Sequence, residues 1–320
     1  MKTVVLLDTS IADTNTGNEI IMDAVTRETR SLLAGWMFFR APVIEHVELG
    51  RPLLERADLR IVGGTNLLAA DLKRTGDWRL RPGHVRWLRG LVLLGVGWWQ
   101  YQSRPLTRYT RRALRTVLEP RAVHSVRDGY TRSRLAEIGV ESVNTGCPSL
   151  WSLDGAACAS LPDEIAPEAL LTFTLYNQDP ARDRALYETV RGLYQRVHVW
   201  PQGLEDAAYA REIAGDDLSL VDPTLAGLDA FLDTHEVDYV GTRLHAGIRA
   251  MQRGRRALIV AIDNRAAEMG RDFNLPIIAR DAEPETLRTR LRARWRPEIR
   301  LDHGAVQRWR DSVLELAGAG

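Results

Sequence analysis

Three observations predict an α/β chain built from two Rossmann-like parallel-sheet domains. Short apolar runs alternate with helical patterns from end to end, as in strand–helix repeats that bury a parallel sheet. The runs are four to six residues long, as in Val4-Val5-Leu6-Leu7 and Leu91-Val92-Leu93-Leu94, which suits buried strands. Midway, Ser160 to Pro167 carries two prolines and acidic residues and reads as a linker, and 320 residues leave room for two domains. The expected division is residues 1–158 and 168–296, with 297–320 a C-terminal helix packing back on the first domain.

Thr3 to Leu7 is the first strand. The polar loop Asp8 to Asn18 follows, and Asn18 is placed to cap the helix opened by Glu19-Ile20-Ile21. Ala57 to Val62 is the second strand and ends in Gly63-Gly64-Thr65-Asn66, where glycines let a backbone approach a ligand or permit a tight turn. Leu91 to Leu94 is the third, ending in Gly95-Val96-Gly97 ahead of Trp98 and Trp99, which are able to stack on a sugar or to fill a core. An arginine-rich helix, Thr107 to Leu118, leads to the strand Ala122 to Val126 and to Arg127-Asp128 at the next helix start. Ser142 to Pro148 closes the first half. In the second half the strands are Leu170 to Tyr176, Val197 to Trp200, Leu218 to Val221, Val237 to Val240, Arg256 to Ile262 and Leu275 to Ala279, with helices between. Two such domains joined by a linker, with strand-end loops facing a cleft, define the glycosyltransferase-B type of architecture.

Composition excludes several classes. A net charge of +1 argues against a general polyanion binder, so no nucleic acid partner is expected. Only Lys2 and Lys73 are lysines; an arginine-rich genome explains that skew as readily as phosphate chemistry does. Cys147 and Cys158 fit no metal motif. The apolar N-terminal run is too short for a signal peptide and Gly90 to Trp99 too short to span a bilayer, so a cytoplasmic location is expected, with the inner membrane face as a further option. The oligomeric state is left open.

The chemistry concentrates in Gly241-Thr242-Arg243-Leu244-His245-Ala246. Here a strand turns into a helix, where unpaired backbone N–H groups and the helix dipole favour an anion. Arg243 adds a forked donor for carboxylate or phosphate, and His245 moves a proton near neutral pH. The alternative is structural, with Arg243 paired to Asp238 or Glu236 and His245 capping the turn. Arg127 repeats the geometry after its own strand; its structural alternative is a pair with Asp128 or Glu137. His124 and His198 lie inside apolar strands and read as core histidines.

Three segments together resemble the polysaccharide pyruvyl transferase family: Ser125-Val126-Arg127-Asp128, the Gly241 to Ala246 turn, and Ala261-Ile262-Asp263-Asn264-Arg265 with Glu268 and Leu275-Pro276 beyond. Asn15-Thr16-Gly17-Asn18 and Asn144-Thr145-Gly146-Cys147-Pro148 are weaker matches in the right order. The chain departs from the family's usual residues at Asn18 and Cys147, each in place of an aspartate, at Thr65 in place of a third glycine, and at Arg265 in place of a lysine. The resemblance implies a transferase that moves the pyruvyl group of phosphoenolpyruvate onto two hydroxyls of a sugar, forming a ketal in a bacterial cell-surface glycan. It implies Arg127 and Arg243 as cations for the donor, His245 as the proton-transfer group, Arg265 for the phosphate and Asp128 as an orienting group. Asp263 is a further substrate-side residue. Asn15, Asn18, Gly63, Gly64, Trp98 and Trp99 fall on the acceptor side. The scheme requires no cofactor and no metal; the implied partners are phosphoenolpyruvate and a sugar or lipid-linked oligosaccharide, with peripheral contact to a membrane carrying that acceptor. Two other readings remain: a glycosyltransferase using a nucleotide-activated sugar, and a silent relative acting as a binding protein.

Overall fold

Each half of the chain forms one six-stranded parallel sheet in the computed structural model, which describes residues 1–318. In the first, β1 (Thr3–Asp8), β2 (Met37–Pro42), β3 (Leu59–Leu68), β4 (Leu91–Trp98), β5 (His124–Val126) and β6 (Ser142–Asn144) lie in the order β2-β1-β3-β4-β5-β6. The chain reverses its direction of travel across the sheet between β1 and β3. Such a switch point opens a crevice at the carboxyl ends of the strands. Val4 to Leu7 and Leu91 to Leu94 are buried on both faces, as a helix-covered parallel sheet requires.

Two strands run further than their glycines suggested. β3 continues through Gly63-Gly64-Thr65-Asn66 to Leu68, and β4 through Gly95-Val96-Gly97 to Trp98. These glycines make room for packing. A Cβ on Gly63 would stand 2.5 Å from Met22 Sδ, and one on Gly64 would stand 2.8 Å from the Gly95 carbonyl. The helix Gly17–Leu32 lies against them through Ile21 and Met22. β2 was not foreseen at all. It is a half-exposed edge strand whose apolar pattern is broken by Arg40, which reaches across to Asp8 on β1.

The second sheet consists of β7 (Glu168–Thr172), β8 (Arg196–Val199), β9 (Ser219–Leu220), β10 (Val237–Gly241), β11 (Ala257–Ala261) and β12 (Ile277–Ala279), in the order β12-β11-β10-β7-β8-β9. With the strands renumbered from one this is the doubly wound order 3-2-1-4-5-6, whose switch point falls between β7 and β10. Gly241 pairs with Thr172 there. At the opposite end of β10, Asp238 accepts from Arg256 Nε at 3.1 Å and from the Tyr194 hydroxyl at 2.7 Å, so it is no partner for Arg243.

Contacts divide the chain into a first unit of Met1–Asp13, Ile21–Trp151 and the segment from Leu301 onward, and a second of Thr14–Ile20 and Ser152–Arg300. The helix His303–Gly318 is anchored in the first unit, where Trp309 Nε1 donates to the Leu93 carbonyl at 3.1 Å and Val123 N donates to Ser312 Oγ at 2.8 Å. Thr14–Ile20 joins the second because Thr16 N donates to the Gln202 carbonyl at 2.9 Å and Gln202 Nε2 to Asn15 Oδ1 at 2.8 Å. The division therefore differs from a simple cut at the Ser160–Pro167 linker.

Candidate functional site

In the second unit the switch point carries Arg243. β10 ends at Gly241, and the helix Leu244–Gln252 starts with Arg243 at its N-cap position. The Thr242 hydroxyl is bonded to that of Thr174 at 2.7 Å. The Tyr239 hydroxyl donates to the Arg243 carbonyl at 2.6 Å and meets Thr172 Oγ1 at 2.6 Å, while Arg243 N donates to the same Oγ1 at 3.2 Å. Burial pushes the Tyr239 phenol up, so it stays protonated and keeps this bond. The turn is held by a neutral network, leaving the guanidinium for other work.

That guanidinium has a partner that local sequence could not supply. Arg243 Nε donates to Asp206 Oδ2 at 2.9 Å and Nη2 to Oδ1 at 2.6 Å, a two-pronged pair with both side chains buried. Asp206 also accepts from Gly203 N at 2.8 Å and Leu175 N at 3.3 Å. Gly203 is needed beside the pair, since a Cβ there would stand 2.7 Å from Arg243 Nη2. Asp206 thus fixes where the Arg243 fork points.

Tyr176 was also missed by the sequence. Its ring lies 5.1 Å from Arg243 Cζ and 5.5 Å from Arg265 Cζ, so one aromatic face serves two cations. It stands on the short turn Leu175–Asn177 after β7 and is 53% exposed. Asp263 caps the helix Asn264–Phe273, accepting from Arg265 N at 3.0 Å; its other oxygen accepts from Arg265 Nε at 2.8 Å and from the Tyr176 hydroxyl at 3.3 Å. Asp263 is thus an organiser of Arg265 rather than an open turn residue. Glu268 pairs with Arg271 on the same helix. His245 sits in the first turn of the helix Leu244–Gln252 and is 5% exposed.

In the first unit Arg127 follows β5 and is 1% exposed. Its Nη2 donates to Asn66 Oδ1 and lies 3.5 Å from Asp128 Oδ2, and Gly97 packs directly on the guanidinium. Asp128 caps the helix Gly129–Ala136 through Thr131 N at 2.7 Å. Thr65, just before Asn66, has φ +106°, a conformation that strains a β-branched residue. Cys147 is buried and its Sγ accepts from Ser149 Oγ at 3.0 Å; burial pushes the thiol up, so it supplies no charge in place of an aspartate.

The residues expected on the acceptor side stand in different local settings. Trp98 is fully buried in the core and Trp99 packs against the same cluster, so Trp98 has no face for a sugar. Gly63 and Gly64 are enclosed by Met22, Ile21 and β4. Asn15 Oδ1 accepts from Gly17 N at 3.1 Å and takes the capping place expected of Asn18, which is itself buried. His124 and His198 are buried, as expected of core histidines. Among the described residues no group of three or more His, Cys, Asp or Glu is placed to hold a metal ion.

The polysaccharide pyruvyl transferase family description matches residues 15–264, and the chain belongs to that family. None of the curated proteins matches the chain. Among solved structures, the S. aureus MnaA–UDP co-structure is 12% identical over 91% of this chain and 87% of that one, with a TM-score of 0.52. The wall teichoic acid polymerase TagF is 10% identical over 99% and 83%, at 0.46, and the E. coli heptosyltransferase WaaC is 11% identical over 81% and 88%, at 0.36. Identities this low speak for fold alone, and the first supports the glycosyltransferase-B class of two Rossmann-like units. Family and fold make the protein a glycan-modifying transferase.

Proposed function

We propose that the protein transfers the pyruvyl group of phosphoenolpyruvate to two hydroxyls of a glycan or lipid-linked sugar, giving a pyruvate ketal and inorganic phosphate. The observation that carries this reading is the pair Arg243 and Arg265 on one tyrosine ring. Phosphoenolpyruvate bears its carboxylate and its phosphate ester on the same enol carbon, and two cations held at fixed spacing are the matching receptor. Asp206 and Asp263 each take the Nε–Nη2 edge of their arginine and so orient it, which leaves Nη1 of each to meet an outside anion.

The chemistry divides into two additions. One sugar hydroxyl attacks the enol carbon while the terminal methylene takes a proton and becomes the methyl group. The second hydroxyl then attacks the same carbon as phosphate leaves with the C–O bonding pair, and both hydroxyl protons are released. His245, in the first turn beside Arg243, is the group assigned to give the methylene its proton and to accept one from the attacking hydroxyl. The scheme calls for no metal. A lipid-linked acceptor at the inner face of a membrane, with donor drawn from the cytoplasm, fits the same reading; among the described residues no helix is long and apolar enough to cross a membrane.

Thermal stabilisation tests the donor. A ligand of the folded state raises the melting temperature by mass action. Phosphoenolpyruvate should raise it in the wild type and not in Arg243→Lys, which keeps the charge near Asp206 but loses the fork. A rise with nucleotide sugars alone would replace this reading with glycosyl transfer, the rival that also needs cations for a diphosphate.

A further inference from the structure

The arginines of this chain are not evenly spread. From Trp78 to Leu118 there are nine arginines and neither aspartate nor glutamate, in a protein whose net charge is +1. The rest of the chain is therefore net negative by about eight charges at neutral pH, and near-zero net charge conceals a strongly basic segment. Eight of the nine side chains are exposed, and among the described residues none of the nine is in an ion pair. Glu48, 4.0 Å from His84 Nε2, and Glu119, paired with Arg121 at 3.0 Å, stand only at the margins.

The fold gives this segment a shape. The helices Pro82–Trp87 and Arg108–Val117 of the first unit border a hollow of about 420 Å³, walled by Arg86, Arg89 and Arg112 with Pro82, Val85 and Tyr109. Tyr109 is fixed by its hydroxyl, which donates to the Leu80 carbonyl at 2.6 Å. Three permanent cations around an apolar floor, with no carboxylate among the lining residues, form a receptor for phosphate esters.

We propose that this face docks the protein on a bilayer containing anionic phospholipid, with headgroup phosphates entering the Arg86–Arg89–Arg112 hollow. A planar anionic surface meets one face of a protein and leaves the net negative remainder in solvent, whereas a flexible polyanion is repelled wherever it leaves the basic face. The choice of a membrane rests on the lipid-linked acceptor of the proposed function; the charge asymmetry does not. Nothing in this surface involves Arg243, Arg265 or His245.

Co-sedimentation of the full chain with vesicles tests it, without any donor present. The protein should pellet with phosphatidylcholine vesicles containing phosphatidylglycerol and stay in solution with phosphatidylcholine alone, and added salt should release it. Arg86→Gln, Arg89→Gln and Arg112→Gln together should weaken binding about tenfold or more while the melting temperature and phosphoenolpyruvate-induced stabilisation are unchanged. Arg182→Gln, Arg294→Gln and Arg300→Gln, in the other unit, should bind as the wild type does. Equal pelleting with both vesicle types, no pelleting with either, an unaffected triple variant, or tighter retention of duplex DNA than of vesicles would each overturn the proposal. A protein that binds vesicles but ignores phosphoenolpyruvate would keep the docking face and lose the donor assignment.

Discussion

The two units place a buried arginine after a strand in the same strand–turn–helix setting, yet they orient it by different means. Arg127 of the first unit bonds to the amide of Asn66 and is pressed against Gly97. Asn66 directly follows Thr65, whose φ is +106°. Arg243 of the second unit is gripped by both oxygens of Asp206, with unstrained backbone on either side. The first is held by shape together with a buried ion pair to Asp128 at 3.5 Å, the second by a two-pronged charge pair. A local motif of strand, arginine and helix thus says where an arginine stands, while its orientation is decided by residues far away.

Breaking the two-pronged pair should have the largest effect. Asp206→Ala leaves a buried guanidinium without its counter-charge and should cost about 3–5 kcal/mol of stability, read as a lower urea midpoint. The shape component of the first arrangement should be softer: Gly97→Ala puts a methyl into the Arg127 guanidinium and should cost about 1–3 kcal/mol. Restoring glycine at the strained turn sharpens the contrast. Thr65→Gly should stabilise the protein by about 1 kcal/mol, because relief of the positive φ outweighs the added freedom of the unfolded chain. A loss of stability in Thr65→Gly would show that the threonine side chain, and not backbone strain, governs that turn.

Acid pH offers a further test. His124 accepts from Leu93 N at 3.2 Å through Nδ1, and burial lowers its pKa from 6.5 to about 4. The unfolded chain binds the proton more readily, so stability from neutral His124 is complete above about pH 6.5 and is lost as pH falls toward 4. His124→Gln should flatten the pH dependence of the unfolding midpoint in that window. An unchanged slope would assign the acid sensitivity elsewhere, His198 being a further buried histidine whose pKa burial lowers.

The alternation of strand and helix was legible because each buried strand is a contiguous apolar run, and the Arg243–His245 turn because its chemistry lies within six residues. Asp206 and Tyr176 were not legible. They come from the helix Asp206–Ala214 and the turn after β7, and only the sheet order brings them to β10. Gly63 and Gly64 fit ligand approach or a tight turn by sequence, whereas their close neighbours are Met22 and β4, a distinction that sequence cannot make because close packing also demands the absence of a Cβ. For Trp98 the sequence leaves both a sugar-stacking face and a core place open, and the continuation of β4 carries it into the core. β2 escaped because an edge strand buries too little to leave a continuous apolar run.

The central claim is that the second unit holds a two-anion donor between Arg243 and Arg265. Calorimetric titration of phosphoenolpyruvate into wild type and Arg265→Gln tests it most directly, since Arg265 lies at the surface end of the pair and its removal spares the buried Arg243–Asp206 fork. The account predicts measurable binding by the wild type and a dissociation constant at least about tenfold weaker in the variant, the loss expected for a charge-assisted contact. Wild-type affinity in Arg265→Gln would contradict it.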